Sequence, residues 1–477
     1  MPDKMERLSL HDLTQATGGQ LTEPSSAELP FDRVSIDSRD VRPGDVFWAL
    51  QGEHHDGHDF IPQALERGAV CCVTSSARGE ATGGSRLIVD DSLASLGRFA
   101  RWYRGTLEAL VIGVTGSVGK TTTRNLIHAA LASEYEGGHS RKNFNNLIGL
   151  PLSLLDIEHQ HEFAVLELGA AREGDIRALA EIAIPEVGVV TAIGPAHLAS
   201  FGSLDSIIRT KGELLDCLPP TGFAVLPGDD PILRQLADRA PCPVIFVGEG
   251  DDNHLRATRV QASFEGLRFE ADGCEFDVPV CGRHHLTNVL CAIAIAREIG
   301  VRPQSLAQGL SYFQPIEGRS FLQTIGSWTV IDDTYNANPP SVAAACRMMK
   351  ELELPGLGQR ILVLGDMKEL GPTAADEHEQ IGTLAARLRI DLLLACGDHA
   401  DDIASGAERA GMAPHRIAAA PDIETAKAVL DCWLEPGDAI LVKGSRVTRM
   451  ERIVEWLRER AALEETLRGN TTQRRCA

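Results

Sequence analysis

Apolar and polar positions divide the 477-residue chain into three stretches. Up to about residue 90 the apolar runs are short. "GDVFWALQG" (Gly44–Gly52) reads as a strand closed by turn residues at both ends. "FIPQALERGAVCCVT" (Phe60–Thr74) reads as a helix stopped at Gly68 and followed by a buried strand. "DSLASLGRFARWYRG" (Asp91–Gly105) carries an apolar stripe at helical spacing behind an Asp or Ser cap, and connects to the next stretch.

From about residue 108, apolar strands alternate with helices. The strands are "ALVIGVTG", "FAVLELG" (Phe163–Gly169), "VGVVTAIG" (Val187–Gly194) and "GFAVLPGDD". The helices are "KTTTRNLIHAALASE", "SIIRTKGELLDCL" and "HLTNVLCAIAIAREIG" (His285–Gly300), and "LRFEADGCEFDVPVCG" adds further strands. Such alternation predicts a parallel sheet covered by helices. After about 314 a second α/β run begins, with strands "WTVIDDTY", "RILVLGDM", "DLLLACG" and "DAILVKGS". "PIEGR" (Pro315–Arg319) reads as the hinge between the two runs, and the polar tail "RGNTTQRRCA" reads as frayed. The expectation is an α/β protein of three domains, 1–90, 91–314 and 315–477. The central one is a parallel-sheet nucleotide domain and the last is Rossmann-like.

Composition changes this picture little. With 43% hydrophobic and 24% charged residues, each domain can bury a core. A net charge of −21 argues against nucleic acid or an anionic membrane as partner and requires any phosphate site to be a local pocket. The N-terminal residues form no signal-peptide core, and no apolar run reaches the ~18 residues of a membrane span. Eleven scattered cysteines without a C-x-x-C pair fit reduced thiols in the cytoplasm.

The chemistry concentrates after the first central strand. "VIGVTGSVGKTTTRN" (Val111–Asn125) lies where a phosphate-binding loop belongs, between an apolar strand and a helix. Glycines let backbone N–H groups crowd around phosphate oxygens, and the helix N-terminus adds positive potential. Lys120 would reach the β- and γ-phosphates and the Thr121 hydroxyl would meet Mg²⁺. The common spelling G-x-x-x-x-G-K-[ST] requires a glycine at position 114, where this chain has Val114. Glu167, delivered by a buried strand, is the candidate metal carboxylate. His197 follows the next strand at a similar height, where ligands of open α/β sheets gather. Lys211 lies on the following helix. Asn145 and Asn146, in "RKNFNNLIGLP", suit ligand contacts or an ordinary loop. "EHHDGH" invites a metal reading, but the adjacent His54 and His55 cannot easily converge on one ion.

Together these residues resemble the Mur ligases, ATP-dependent amide-forming enzymes of peptidoglycan synthesis. That family's loop, G-x-T-G-[ST]-x-G-K-T-[TS], is matched by Gly113, Val114, Thr115, Gly116, Ser117, Val118, Gly119, Lys120, Thr121 and Thr122, so a valine at 114 is its normal form. Glu167, His197 and Lys211 match its metal-binding acid, its second-metal histidine and its carbamylated lysine. "NFNNLIGLPLSLL", "LELGA", "DDTYNANPPS", "LGDMKELG" and "VKGSR" are similar to the branch that adds D-alanyl-D-alanine to UDP-N-acetylmuramoyl-tripeptide. The "DNPR" signature of the branch that adds the third amino acid does not occur.

The resemblance implies further roles. Asn145 and Asn146 would lie near the γ-phosphate and the acyl acceptor. Asn288 would contact the adenine end of ATP, and His285 stands where the family pattern G-x-H-N-x-x-N has asparagine. Arg319, Asp333, Tyr335, Asn336 and Asn338 would face ATP. Lys443, Ser445 and Arg446 would lie near the incoming dipeptide. In the first domain, a uridine-nucleotide module, "SIDSR" (Ser35, Asp37, Ser38, Arg39) and "DGH" (Asp56, Gly57, His58) would serve the UDP substrate. The implied enzyme uses ATP with one or two Mg²⁺, forms an acyl phosphate, and is a monomer supporting cell-wall growth and division. The alternatives are another Mur-type or folylpolyglutamate synthase-like amide ligase and a non-catalytic P-loop nucleotide switch.

Overall fold

The computed structural model describes residues 5–52, 55–75, 84–141, 143–195, 198–353 and 358–475. Three main sheets follow one another along the chain. The first has five short strands, in spatial order Gln20–Leu21, Arg86–Ile88, Cys71–Thr74, Val46–Trp48 and Val34–Ser35. Trp48, Phe47, Cys71 and Val73 are fully buried on it, as the apolar runs require.

The second sheet has nine strands. In spatial order they are Cys274–Val278, Leu267–Ala271, Leu255–Ala262, Val244–Gly248, Phe223–Pro227, Val187–Val190, Leu110–Thr115, Phe163–Glu167 and Gly137–His139. From Leu255–Ala262 to Gly137–His139 the pairing is parallel, and the last two strands in sequence return as antiparallel neighbours. The chain first builds to one side of Leu110–Thr115 and then to the other. The strand order therefore reverses there, and a crevice opens at such a switch point. The helix Leu286–Ile299, apolar almost all round and largely buried, packs on the loop helix Lys120–Leu131 against one face of this sheet.

The third sheet, in spatial order, has strands Phe321–Ile325, Trp328–Asp333, Ala439–Lys443, Arg360–Gly365, Leu392–Cys396 and Ile417–Ala420, all parallel except the first. The last helix runs Glu451–Arg475, so the backbone of the polar tail is helical as far as Arg475, where the sequence reads as frayed.

The helix Ser92–Arg104, capped by Asp91 accepting from the Ala94 N–H, does more than connect. Its Leu96, Phe99 and Tyr103 belong to one apolar cluster with Leu13 and Trp48 of the first sheet's layer and with Leu150, Leu166 and Ile176 of the central one. The first two sheets thus share a core, whereas the third builds its own on both faces. Among the described residues, no helix is long and apolar enough to cross a membrane.

Candidate active site

The strand Leu110–Thr115 sets the site. Val114 and Thr115 are fully buried, and Val114 pairs with Glu167 on one side and Val189 on the other. A Cβ on Gly113 would meet Leu214, Leu168 and Pro185 at 3.2–3.4 Å, so this glycine serves close packing. Gly113, Val114 and Thr115 therefore lie beneath the loop and do not line the cleft. The slot of the common loop glycine is strand interior in this chain, and a valine suits it.

The loop proper is Gly116–Gly119. Gly116 has φ +148°, and a Cβ there would stand 2.1 Å from Thr191 Oγ1. Gly119 has φ +83° at the N-cap of the helix Lys120–Leu131, with the Asn288 side chain 2.9 Å from where its Cβ would be. Both positions need glycine, for backbone shape and for space. Ser117 Oγ donates to Gly194 O (2.9 Å), and Thr191 Oγ1 lies 2.5 Å from Val118 O, so the neighbouring strand end braces the loop. Lys120 Nζ donates to Gly116 O (2.7 Å), folding over the loop.

Register places Glu167 beside the loop's start. Its carboxylate is buried and held from both sides: Thr121 Oγ1 donates to Oε2 and Asn145 Nδ2 to Oε1, each at 2.8 Å. Arg124 lies 3.6 Å from Oε2. Arg124 was not read as a site residue from the sequence. The signal was its spacing, one helical turn beyond Lys120 and Thr121 on the same face. A hydroxyl and a carboxylate are hard oxygen donors, and Mg²⁺ characteristically takes one or two such protein ligands and completes its shell with water and phosphate. Thr121 and Glu167 fit that ion. Among the described residues no cluster of three His, Cys, Asp or Glu forms a cage of another kind.

One cleft of about 1030 Å³ joins these groups to the third domain, at the upper end of the ~300–1,000 Å³ usual for small-molecule sites. Gly116 to Thr122, Asn145, Asn146, Glu167, Lys211 and Asn288 line it from the central domain, and Arg319, Asp333, Tyr335, Asn336, Asn338 and Lys443 from the third. His197 lies outside the described residues, as does His54. Lys211 is buried at the cleft wall, its Nζ 5.9 Å above the Phe201 ring. Burial first, and the charge of Lys120 second, pull its amine down to about 7. Burial also lowers Lys120, with Arg319 adding to the effect.

Several residues named for ligand contact are also used by the fold. Asn146 Oδ1 accepts from Gly149 N–H (2.8 Å), bracing the turn into the helix Gly149–Leu155. Asn338 caps the helix Pro339–Glu351 by accepting from Ser341 N–H. Lys443 Nζ donates to Asp333 (2.7 Å) and to Asn336 O (2.9 Å), and Ser445 is buried with its Oγ accepting from Lys368 N–H. Neither Ser445 nor Arg446 lines the cleft, although Arg446 and Arg319 both face the Tyr335 ring, at 6.0 and 4.0 Å. His285 keeps a place in the cleft, with Nδ1 3.2 Å from Asn288 Nδ2, and burial pushes it well below the usual histidine range.

The first-domain residues divide. Ser35 and Asp37 line a separate 180 Å³ cavity with Arg141 and Phe144 of the central domain. Arg39 is exposed and paired with Asp37, while Ser38 is buried on Gln63. Asp56, Gly57 and His58 line neither cavity. The His58 ring is pinned between Asp56 (2.5 Å) and the Ser75 N–H (3.2 Å), and a Cβ on Gly57 would strike the Leu50 backbone at 2.7 Å, so this segment staples the first domain.

Comparison with known proteins agrees with this arrangement. Three family models match: the Mur ligase family catalytic domain over 30–103, the Mur ligase middle domain over 114–296, and the Mur ligase glutamate ligase domain over 319–446. The UDP-N-acetylmuramoyl-tripeptide–D-alanyl-D-alanine ligase of Bacillus subtilis is 33% identical over 459 residues, covering 95% of this chain and 99% of that protein. The crystal structure of MurF from Acinetobacter baumannii superposes with a TM-score of 0.88 at 29% identity, covering 95% and 99% of the two chains. MurF ligase from Thermotoga maritima, solved in complex with ADP, superposes with a TM-score of 0.79 at 29% identity over 91% and 98%. With three family models matched in order along the chain and a relative 33% identical over 95% of it, the chain belongs to the Mur ligase family.

Proposed function

We propose that this chain is the ATP-dependent ligase that joins D-alanyl-D-alanine to UDP-N-acetylmuramoyl-tripeptide, giving the pentapeptide, ADP and phosphate in the cytoplasm. The near-full-length likeness to relatives bearing that name supports the substrates. One observation supports the reaction class: nucleotide loop, metal pair and third-domain cations share a single cleft.

A carboxylate and an amine do not condense in water, because the carboxylate is a poor electrophile. Phosphorylation of the tripeptide carboxylate gives an acyl phosphate, which the dipeptide amine then attacks to release phosphate. The protein's part is positioning and charge neutralisation. The loop amides and Lys120 would hold the β- and γ-phosphates. Arg319, stacked on Tyr335, would reach the same anions from the third domain. Mg²⁺ held by Thr121 and Glu167 would supply screening between two anions that must meet. Asn145, already bonded to Glu167, fixes the carboxylate's orientation. Lys211 is the residue for a carbamate: only an unprotonated amine adds CO₂, and its lowered pKa makes that form abundant near neutrality. Ser35, Asp37 and Arg39 would meet the uridine-nucleotide end.

The test is phosphate release from ATP with UDP-N-acetylmuramoyl-tripeptide, with and without D-alanyl-D-alanine. Release that depends on the dipeptide is expected. Release indifferent to it would remove the dipeptide assignment and leave the ligase class standing. In the same assay Lys211→Ala is expected to lose activity about 100-fold or more, as for removal of a transition-state charge contact, and to regain part of it with short carboxylic acids.

A further inference from the structure

The segment Gly365–Gly371, "GDMKELG", leaves the third sheet at the end of the strand Arg360–Gly365 and reaches the central domain. Glu369 O accepts from the Ala199 N–H (3.1 Å), and a Cβ on Gly371 would lie 3.6 Å from Ala199 Cα. Ala199 belongs to the short helix Leu198–Phe201, whose Phe201 forms the cleft wall beneath Lys211. To present that carbonyl, Glu369 adopts φ +64°, a conformation unfavourable for a non-glycine residue, so the surroundings must impose it.

Three anchors do so. The Asp366 carboxylate accepts from the Asp398 and His399 N–H groups (3.0 Å each) and from Lys368 Nζ (2.9 Å). Lys368 N–H donates to Ser445 Oγ (2.9 Å). Met367 N–H donates to His378 Nε2 (2.8 Å). His378 is fully buried on the helix Ala374–Arg387, and its Nδ1 lies 2.6 Å from Ala374 O. Both ring nitrogens are committed, which fixes the neutral Nδ1–H tautomer with Nε2 as acceptor. The His399 ring stacks on it at 4.4 Å. No chemical step in the cleft uses this histidine.

We propose that His378 is a positioning residue: it holds Gly365–Gly371 as a strut that docks the third domain on Ala199 and sets the cleft wall at Phe201 and Lys211. The same segment braces Ser445, next to Arg446, which faces the cleft-lining Tyr335 ring at 6.0 Å. Losing the anchor therefore disturbs the amine's side of the site and leaves the nucleotide loop intact. This kinetic consequence rests on the ligase reading; the structural one does not.

The test compares wild type, His378→Gln and His378→Leu in the full chain. Glutamine can accept from Met367 N–H and donate to Ala374 O, and leucine can do neither. By hydrogen exchange, the Met367, Lys368 and Ala199 amides are expected to exchange about tenfold faster or more in His378→Leu, and at near wild-type rates in His378→Gln. In kinetics, KM for D-alanyl-D-alanine is expected to rise about five- to tenfold in His378→Leu, the effect of one lost buried hydrogen bond, with affinity for an ATP analogue unchanged. Ala199→Pro removes the N–H that meets Glu369, which lies in the first turn of the helix Leu198–Phe201 and takes no bond within the helix. It is expected to reproduce the KM effect, and to add nothing to His378→Leu in the double variant. If His378→Leu does not fold, Ala199→Pro carries the test from the other side. Unchanged Ala199 exchange in His378→Leu, a changed ATP-analogue affinity, or additive effects in the double variant would overturn the proposal. The exchange is measured with an ATP analogue bound to favour the closed arrangement and needs no dipeptide, so its outcome is separate from whether wild type responds to the dipeptide.

Discussion

Lys211 concentrates the chemistry in one side chain. Its amine stands at about 7 in the folded protein, against an ordinary value of 10.5. The folded state therefore releases this proton at lower pH than the unfolded chain does. Between about 7 and 10.5 the unfolded state binds more protons, so this group's contribution to stability rises with pH across that window and is flat and unfavourable below it. Lys211→Met removes the burden. In carbonate-free buffer it is expected to be more stable than wild type at pH 6 by urea unfolding, with the gap narrowing steadily from pH 7 toward 10. A gap independent of pH would mean that the wild-type amine is not the strained group. At this scale much of the site was legible. Glu167 is an acid at the end of a buried strand, and Lys120 and Thr121 follow a glycine loop. Arg124 and Thr191 were not legible. Arg124 acts through Glu167, and Thr191 through the Thr115 and Val118 carbonyls, and local sequence carries no sign of that pairing. The D-G-H segment has a structural role that its sequence does not announce, with His58 bonded to Asp56 and to the Ser75 N–H.

Among elements, the nucleotide loop shows what its unusual spelling means. Val114 sits in the strand's buried interior, paired on both sides, so the element that binds phosphate begins only at Gly116. Val114→Gly restores the common spelling and is expected to harm the protein. Removing a buried side chain and loosening a central strand should cost about 2–4 kcal/mol, read as a lower urea midpoint with no gain in ATP-analogue affinity. Tighter nucleotide binding in that variant would show that the valine is a defect of the loop rather than part of the strand. The apolar runs predicted Leu110–Thr115, Phe163–Glu167, Val187–Val190 and Phe223–Pro227 of the second sheet and four strands of the third, because such strands are buried on both faces, but not Val244–Gly248 or Leu255–Ala262 inside the second sheet. They did not reveal the edge strand Gly137–His139, where two of three residues are glycine and pairing with Phe163–Glu167 alone defines the element. Nor did they reveal Ile417–Ala420, whose alanines carry too little apolar signal to stand out.

For the whole molecule, the kind of contact between domains decides what can move. The first and central domains share an apolar cluster through Ser92–Arg104, and Glu6 N–H donates across it to Tyr103 Oη (3.2 Å), which donates on to Ile157 O (2.7 Å), so separating them would expose a core. The third domain meets the central one differently. Cys281 and Phe264 of the central stretch pack on the third domain's apolar cluster, a Cβ on Gly282 would lie 2.6 Å from Met348, "PIEGR" links the two, and the other contacts include Pro340 against Gly194 and Glu369 on Ala199. An interface of that kind permits rigid-body motion. The chemistry calls for it too, since substrates must enter a cleft that afterwards excludes water from an acyl phosphate. We expect the free enzyme in solution to sample open arrangements, with the third domain turning about Cys281 and Pro315–Arg319 while the first two move as one body. Small-angle scattering should then show the radius of gyration falling when an ATP analogue and the UDP-linked substrate are added together. Fluorescence distances within the first two domains should stay fixed, and those to the third should shorten. Distances between the first and central domains that change on ligand binding would contradict the shared core as the rigid element, and a scattering profile indifferent to ligands would leave the strut at Glu369 permanently engaged.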